Sequence, residues 1–466
     1  MAGHTTSGGD GFDGLDGYGG SCGEGGGRPV TSPPAAQPPK PSSGARASRA
    51  SSASSASSAS RSVELQGFRG LAALSTVVFH VWQQYYVYDA QGAHPPVDNP
   101  YLGALISLEV IDLFFVMSAY LLTLSYARAA IDGEDRTRPG RDFLFRRATR
   151  ILPLYFLAVL LVWSLRNPSL PGDWRDLLEH LTFTHVFDQE RIFYTLGPTW
   201  SLSLEIAFYL TLVAVGPLAI RACRRLRTRR ARVALCASGC AALYLAPVAW
   251  TAVAHHALGV PHTNWPVYFG PQARLGGFAA GMLLAVLLVA LGERGRVGAR
   301  RATAMAVTAA AGLYALSYYS APENTWHTYY HPLAALLWFA LLYATLHVRT
   351  TARPRWHALL RSGWLTGVGL VSYSLYIWHE PLMLFLYDTG ALPHSQAGFP
   401  LAALFVVAAG LLVATVSYWA VEYPGSLLAG LRDKRGRPRE FYPDPNPGPV
   451  PEPPSQPLRE VEPAVR

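Results

Sequence analysis

The sequence predicts an all-α integral membrane protein, a bundle of about ten transmembrane helices with both termini cytosolic. Three observations lead there. Half of the 466 residues are hydrophobic and 15% are charged, where soluble proteins carry roughly 25%. Apolar segments recur at about the 20 residues needed to cross roughly 30 Å of hydrocarbon. The arginines crowd into alternate connections between those segments, as the bias toward positive cytosolic loops requires.

Taken in order, residues 1–60 are Gly-rich ("GGDGFDGLDGYGGSCGEGGG"), then Pro-rich, then "SSASSASSAS". Nothing in this tail can bury a core, so a disordered cytosolic tail is expected. It lacks the short apolar core and small-residue cleavage site of a signal peptide. A transmembrane domain over 61–430 follows. Its spans are expected at 68–88, 104–127, 148–166, 199–220, 233–255, 271–292, 303–320, 331–348, 364–388 and 398–422. The connections expected inside hold Arg136, Arg138, Arg141, Arg146 and Arg147, then "RACRRLRTRRAR", then Arg294, Arg296, Arg300 and Arg301, then Arg349, Arg353, Arg355 and Arg361. Those expected outside, near 89–103, 256–270, 321–330 and 389–397, contain no Lys or Arg. Residues 431–466, basic and then Pro-rich, form a second expected disordered cytosolic tail.

Topology accounts for the net charge of +9, so the partner of this basicity is the lipid bilayer of the cell membrane, and no nucleic acid is needed. Cys22, Cys223, Cys236 and Cys240 form no disulfide framework. Cys236 and Cys240, four apart near the inner end of a span, read as packing, and no metal site is expected.

Several ionisable residues lie inside the spans. In "ELQGFRGLAALSTVVFHVW", Arg69 stands at the cytosolic boundary and His80, with ten residues between them, roughly 18 Å above it. Asp112 in "EVIDLFFVMSAYLLT" comes to a similar level from outside. Glu205 in "PTWSLSLEIAFYL" and His379 in "SYSLYIWHEP" reach roughly 21 and 22 Å. Each facing lipid alone would cost about 2.5 kcal/mol or more, so the four are expected to face the bundle interior and form a site in one layer. Blander roles stand beside this. His80 suits an interhelical hydrogen bond, Asp112 a counter-ion that orients a histidine, Glu205 a pair with Tyr209 one helical turn on, and His379 the aromatic outer interface beside Trp378 and Pro381.

These residues carry a resemblance. Arg69 and His80 in "FRGLAALSTVVFH" look like the arginine, ten residues, histidine signature of the acyltransferase-3 family, polytopic membrane enzymes that O-acylate glycans, antibiotics and related molecules. "IDLFFVMSAYLLT", "FRRATRILPLY", "WSLSLEIAFYL", "RLGGFAAGMLLA", "SYSLYIWHEP" and "SYWAVEYP" are similar to further family segments in the same order, over about residues 62–425. Three positions depart from the pattern. Ala119 stands where glycine is usual after Ser118, Ile206 where a second acid is common, and Gly277 where an acid often occurs. A fused extracytoplasmic hydrolase-type domain, as in two-domain members, is not expected.

The resemblance implies an acyltransferase with acyl-CoA, acetyl-CoA first, as donor substrate and no permanently bound cofactor. Its acceptor would be a hydroxyl of a carbohydrate, cell-envelope glycan or other small molecule. Arg69, Arg146, Arg147 and Arg150 gather at the inner ends of three spans and are expected to hold the donor's phosphates. His80 is the expected general base, with Asp112 or Glu205 holding its tautomer and His379 in the same site. The quoted motifs bring in Ser118, Trp200, Ser203, Tyr209, Arg274 and Tyr376 as supporting residues, and Ser118 or His80 would be the covalent candidates if an acyl-enzyme forms. A proton-coupled multispan transporter fits the composition equally well, but it predicts internal repeats or paired broken helices, and no convincing self-similarity relates the two halves.

Overall fold

The computed structural model describes residues 43–90, 92–134, 137–320, 325–349 and 353–431. The chain divides into two units, Met1–Ser52 and Ala53–Arg466. Of the first, only helical backbone from Ser43 is described, and all other described elements belong to the second. Residues 43–60, expected in the disordered tail, are helical here. The tail before Ser43 and that after Leu431 lie outside the described residues.

Helix α1 runs Ser43–Gln84 and leads to a two-stranded hairpin of β1 (Val87–Asp89) and β2 (Gly92–His94). α2 (Pro100–Ile106) begins where Asn99 Oδ1 accepts the amides of Tyr101 and Leu102, both at 3.0 Å, an N-cap that ends the preceding loop. Then come α3 (Ile111–Ile131), α4 (Gly140–Arg166), α5 (Trp174–Leu181), α6 (Trp200–Arg224), α7 (Arg229–Ala252), α8 (Trp265–Phe269) and α9 (Pro271–Leu291). The last stretch holds α10 (Ala299–Tyr319), α11 (Tyr330–Leu346), α12 (His357–Leu360), α13 (Gly363–Leu370), α14 (Ser372–Asp388), α15 (Phe399–Ser417) and α16 (Tyr423–Leu431).

Among the described residues, seven helical segments are long and apolar enough to cross a membrane, and they contain α3, α4, α6, α7, α9, α11 and α15. Helices α1, α10 and α14 lie on the three other expected spans but fall outside this set. α14 has only 17 residues and includes Glu380 and Asp388. α10 mixes tyrosines, threonines and one serine into its apolar run, and α1 carries Glu64, Arg69 and His80. Two expected spans are also broken. Segment 104–127 is divided between α2 and α3 and segment 364–388 between α13 and α14.

Tight helix contacts are made by small residues, as in membrane bundles generally. At Gly281 on α9 an added Cβ would overlap the Val116 carbonyl and come within 2.8 Å of the Ala119 Cβ on α3. Ala119, an unusual residue at its position, thus packs against a glycine across the interface. α1 touches the α12–α13 segment backbone to backbone, since a Cβ at Gly67 would meet the Leu360 carbonyl and one at Gly369 the Gln66 carbonyl. One core collects Leu65, Phe68, Leu113, Leu284 and Trp338, a second Phe115, Tyr155, Leu204 and Phe278, and a third Val81, Trp82, Leu375 and Phe399.

The connection between α4 and α6 is itself folded. Asp173 caps α5 through the Asp176 amide and pairs with Arg191 at 3.1 Å, while Arg191 also reaches Asp188 at 3.2 Å. Beneath them Asp176, His180 and His185 are fully buried. The rings of His180 and His185 stack at 4.1 Å, and Tyr155 donates to the His180 carbonyl at 2.8 Å. Burial, and then the neighbouring His180, push His185 down to about 3.

Candidate active site

His80 and His379 come from helices at opposite ends of the chain and meet. His379 sits on α14 with Nδ1 2.8 Å from the Tyr376 carbonyl and 3.2 Å from that of Leu375. A carbonyl only accepts, so Nδ1 carries the proton and Nε2 is left as an acceptor. That Nε2 lies 3.1 Å from His80 Nδ1, which is also 2.9 Å from the Thr76 carbonyl. With acceptors on both sides, His80 Nδ1 must be the protonated nitrogen. The unprotonated Nε2 of the half-buried His80 therefore has no hydrogen-bond partner among the described residues. In a neutral pair this assigns the basic nitrogen to His80 and makes His379 its orienting group. α14 is anchored in turn. Tyr376 shares a hydrogen bond with Ser201 at 2.7 Å and donates to the Pro198 carbonyl, and Trp378 donates to Ser417 at 2.9 Å.

The other expected members of the layer form separate groups. Ser118 donates to Glu205 Oε1 at 3.2 Å, and Tyr209 donates to the same oxygen. The Glu205–Tyr209 pair is thus the one read from helical spacing. Ser203, on the same helix, is buried with no partner for its hydroxyl among the described residues. Asp112 is buried too, but its partner is His331, whose Nδ1 lies 2.8 Å from Oδ2. Neither Asp112 nor Glu205 is bonded to His80 among the described residues. The expectation that one of them holds the His80 tautomer is corrected: His379 does so, because α14 brings its ring within reach and Asp112 is held by α11.

The group around Asp112 is an addition to the expected layer. His331 Nε2 is 3.1 Å from the Tyr268 hydroxyl and 3.4 Å from Glu109, and the same hydroxyl meets His327 at 3.1 Å. The sequence signal for it is "WHTYYHPL", where His327, in a connection free of arginine, stands four residues before His331 at the start of the next span. Arg274 lies beside this network in the first turn of α9. Its Nε donates to the Tyr268 carbonyl at 2.9 Å, and its guanidinium carbon is 4.3, 5.0 and 5.7 Å from the ring centres of Tyr268, Phe269 and Trp200. Gly277, in place of a frequent acid, packs against α3, where an added Cβ would come 3.3 Å from the Phe115 Cβ and 3.9 Å from Asp112 Oδ1.

Near the arginine-bearing end of α4, Arg150 approaches Glu422 at 4.0 Å, Ser374 donates to the same carboxylate at 3.0 Å, and Arg69 donates to Ser372 at 3.3 Å. Arg146 and Arg147 precede Arg150 by one turn on α4, with Arg147 5.8 Å from the Phe143 ring centre. The structure thus assembles α1, α4, α14 and the turn after α15 around these cations. Glu422, quoted within "SYWAVEYP" but assigned no role, is the acid at their centre.

Comparison with known proteins gives the family. The acyltransferase domain family matches residues 62–419. The chain is similar to the acyltransferase MdmB of Streptomyces mycarofaciens, 29% identical over 404 residues that cover 82% of this chain and 95% of the relative. It is also similar to the O-acetyltransferase OatA of Staphylococcus aureus, 23% identical over 383 residues, 77% of this chain and 56% of that longer protein. No solved structure gives a significant match. A family match across this whole helical region, with the family's arginine and histidine both on α1, makes the chain a member of the acyltransferase-3 family and an O-acyltransferase.

Proposed function

We propose that this enzyme moves an acyl group, acetyl in the simplest case, from cytosolic acyl-CoA to a hydroxyl of a carbohydrate, cell-envelope glycan or secondary metabolite. It works as a ten-span protein of the cell membrane with both termini cytosolic. The observation that carries the reading is the bare Nε2 of His80, a residue whose Nδ1 is held by His379 of α14 and which shares α1 with Arg69.

The donor's phosphates dock on Arg69, Arg150, Arg146 and Arg147, where guanidinium groups offer paired donors. The pantetheine arm runs along α1 toward His80. Nε2 accepts the proton of the acceptor hydroxyl as its oxygen attacks the thioester carbonyl. The imidazolium that forms is stabilised by the Nδ1–H bonds to His379 Nε2 and the Thr76 carbonyl. It then returns its proton to the departing sulfur, so that an ester and a CoA thiol leave. The name of OatA, an O-acetyltransferase, supports both the oxygen acceptor and the acetyl donor, and the family match gives a transporter no support.

The test is mass spectrometry of secreted metabolites and envelope glycans from cells with and without the chain, joined to CoA-thiol release by the purified protein given acetyl-CoA and an extract of the deleted strain. An acyl mass lost on deletion, with thiol release restored by the extract, is expected. Unchanged masses and no release would end the proposal.

A further inference from the structure

Arg274 is a buried cation with unused donors. Only 3% of it is exposed, and neither Nη1 nor Nη2 has a hydrogen-bond partner among the described residues. A guanidinium does not shed its proton to escape such a place, and buried polar groups left unpaired are costly. The rings of Trp200, Tyr268 and Phe269 around it recover part of that cost through their electron-rich faces, but they supply no acceptor for the N–H groups. Its Nε is pinned by the Tyr268 carbonyl, so the fork is held in place. The nearby carboxylates do not fill it. Asp112 gives Oδ2 to His331, Glu109 lies against the same histidine, and neither forms an ion pair with Arg274 among the described residues. The fork is fixed, buried, charged and unfilled.

We infer that Arg274 anchors an anionic group, a carboxylate or a phosphate, carried by the acceptor, and therefore that the acceptor is an acidic hydroxyl compound and not a neutral one. The inference rests on the acyltransferase reading, which places the donor's phosphates on Arg69, Arg146, Arg147 and Arg150 at the cytosolic ends of their helices, whereas Arg274 stands in the first turn of α9 at its expected outer end, so the anion at Arg274 comes from the second substrate. A guanidinium fork matches two oxygens of either anion.

The experiment uses the purified full chain in detergent without acyl-CoA and follows thermal unfolding with three probes at equal concentration: methyl glucuronide, glucose 1-phosphate and neutral methyl glucoside. At least one anionic probe is expected to raise the midpoint where the neutral one does not, and which of the two responds tells carboxylate from phosphate. Arg274→Gln should erase the difference, and Arg274→Lys, which keeps the charge but not the fork, should retain part of it. Without probe, Arg274→Met should unfold no earlier than the wild type, because the cost of the unfilled fork is removed with it. In transfer assays Arg274→Gln should raise the KM for an acidic acceptor by about tenfold to a hundredfold. No preference for either anion, an undiminished preference in Arg274→Gln, or a large drop in the midpoint of Arg274→Met would each overturn the inference, the last by making Arg274 a strut. Equal transfer to neutral and acidic acceptors would overturn it while leaving the acyltransferase reading intact.

Discussion

His379 Nε2 faces His80 Nδ1 at 3.1 Å, across 299 positions of sequence, and this contact leaves the far nitrogen of His80 as the basic one. A neutral imidazole thereby takes the orienting place that a carboxylate holds in serine-type triads.

His80→Gln keeps a hydrogen-bonding end but no titratable nitrogen. Transfer should fall about 10²-fold to 10⁴-fold while the protein inserts at wild-type abundance. His379→Leu leaves the base but not its orientation, so kcat should fall by a smaller factor with the KM for acyl-CoA unchanged. A His80→Gln enzyme retaining more than about a tenth of the activity would exclude a general base of that strength.

The arginines predict the opposite kinetic signature. Arg150→Ala, and the double change of Arg146 and Arg147 to alanine, should raise the acyl-CoA concentration for half activity and spare turnover at saturation, because phosphate contacts persist unchanged into the transition state. Steady-state kinetics over donor concentration decides this, and a loss confined to turnover would contradict it.

Gly281→Ala forces α3 and α9 apart against the Val116 carbonyl, which should cost about 1–3 kcal/mol. Gly239→Ala, on α7 where nothing lies within 4 Å, should be neutral or slightly stabilising. Thermal size-exclusion profiles of the two variants should separate clearly, and equal profiles would remove the close-approach argument.

The α4–α6 connection should loosen in acid. His185 titrates near 3 in the fold against about 6.5 unfolded, so between those values the unfolded state binds more protons. Its contribution is therefore present above about pH 6.5 and is lost as pH falls toward 3, at up to about 1.4 kcal/mol per pH unit. Burial raises Asp188, but the Glu190 and Arg191 amides and the Arg191 charge outweigh it and hold the carboxyl below its usual range, which adds a loss of the same sign at the acid end. Protection factors from hydrogen exchange over 167–196, corrected for the intrinsic pH dependence of amide exchange, should be lower at pH 5 than at pH 7.5, and His185→Leu should flatten the difference.

Reporters fused after residues 225, 297 and 355 should appear cytosolic, and those near 92, 260 and 325 outside. This tests α1 and α10 as spans, and two or more reversed reporters would exclude the ten-span topology.

The helical, membrane-bound character was legible because apolar length and arginine placement are local properties. Seven of the spans answer to those criteria. The arginine cluster could also be foreseen, since Arg146, Arg147 and Arg150 lie within about one turn of α4. Side-chain partners could not. Depth along a helix placed His80, Asp112, Glu205 and His379 at similar levels, but level says nothing about azimuth. Rotation about the helix axes sends Asp112 to His331, Glu205 to Ser118 and His80 to His379. Glu422 is harder to read because it lies in a π-helical turn, Tyr418–Glu422, where the ordinary helical spacing used to read faces does not apply.

Arg69 and His80 stand on one unbroken helix, about 16 Å apart along its axis. On the proposed donor path such a rod is a ruler. A molecule gripped at one mark presents its thioester at the other only if its linker has the matching reach, whatever the acyl tail beyond. Recognition of the carrier and tolerance for the cargo are then written in different residues, so a lineage can change the group it transfers by altering the space past His80 while leaving the grip at Arg69 untouched.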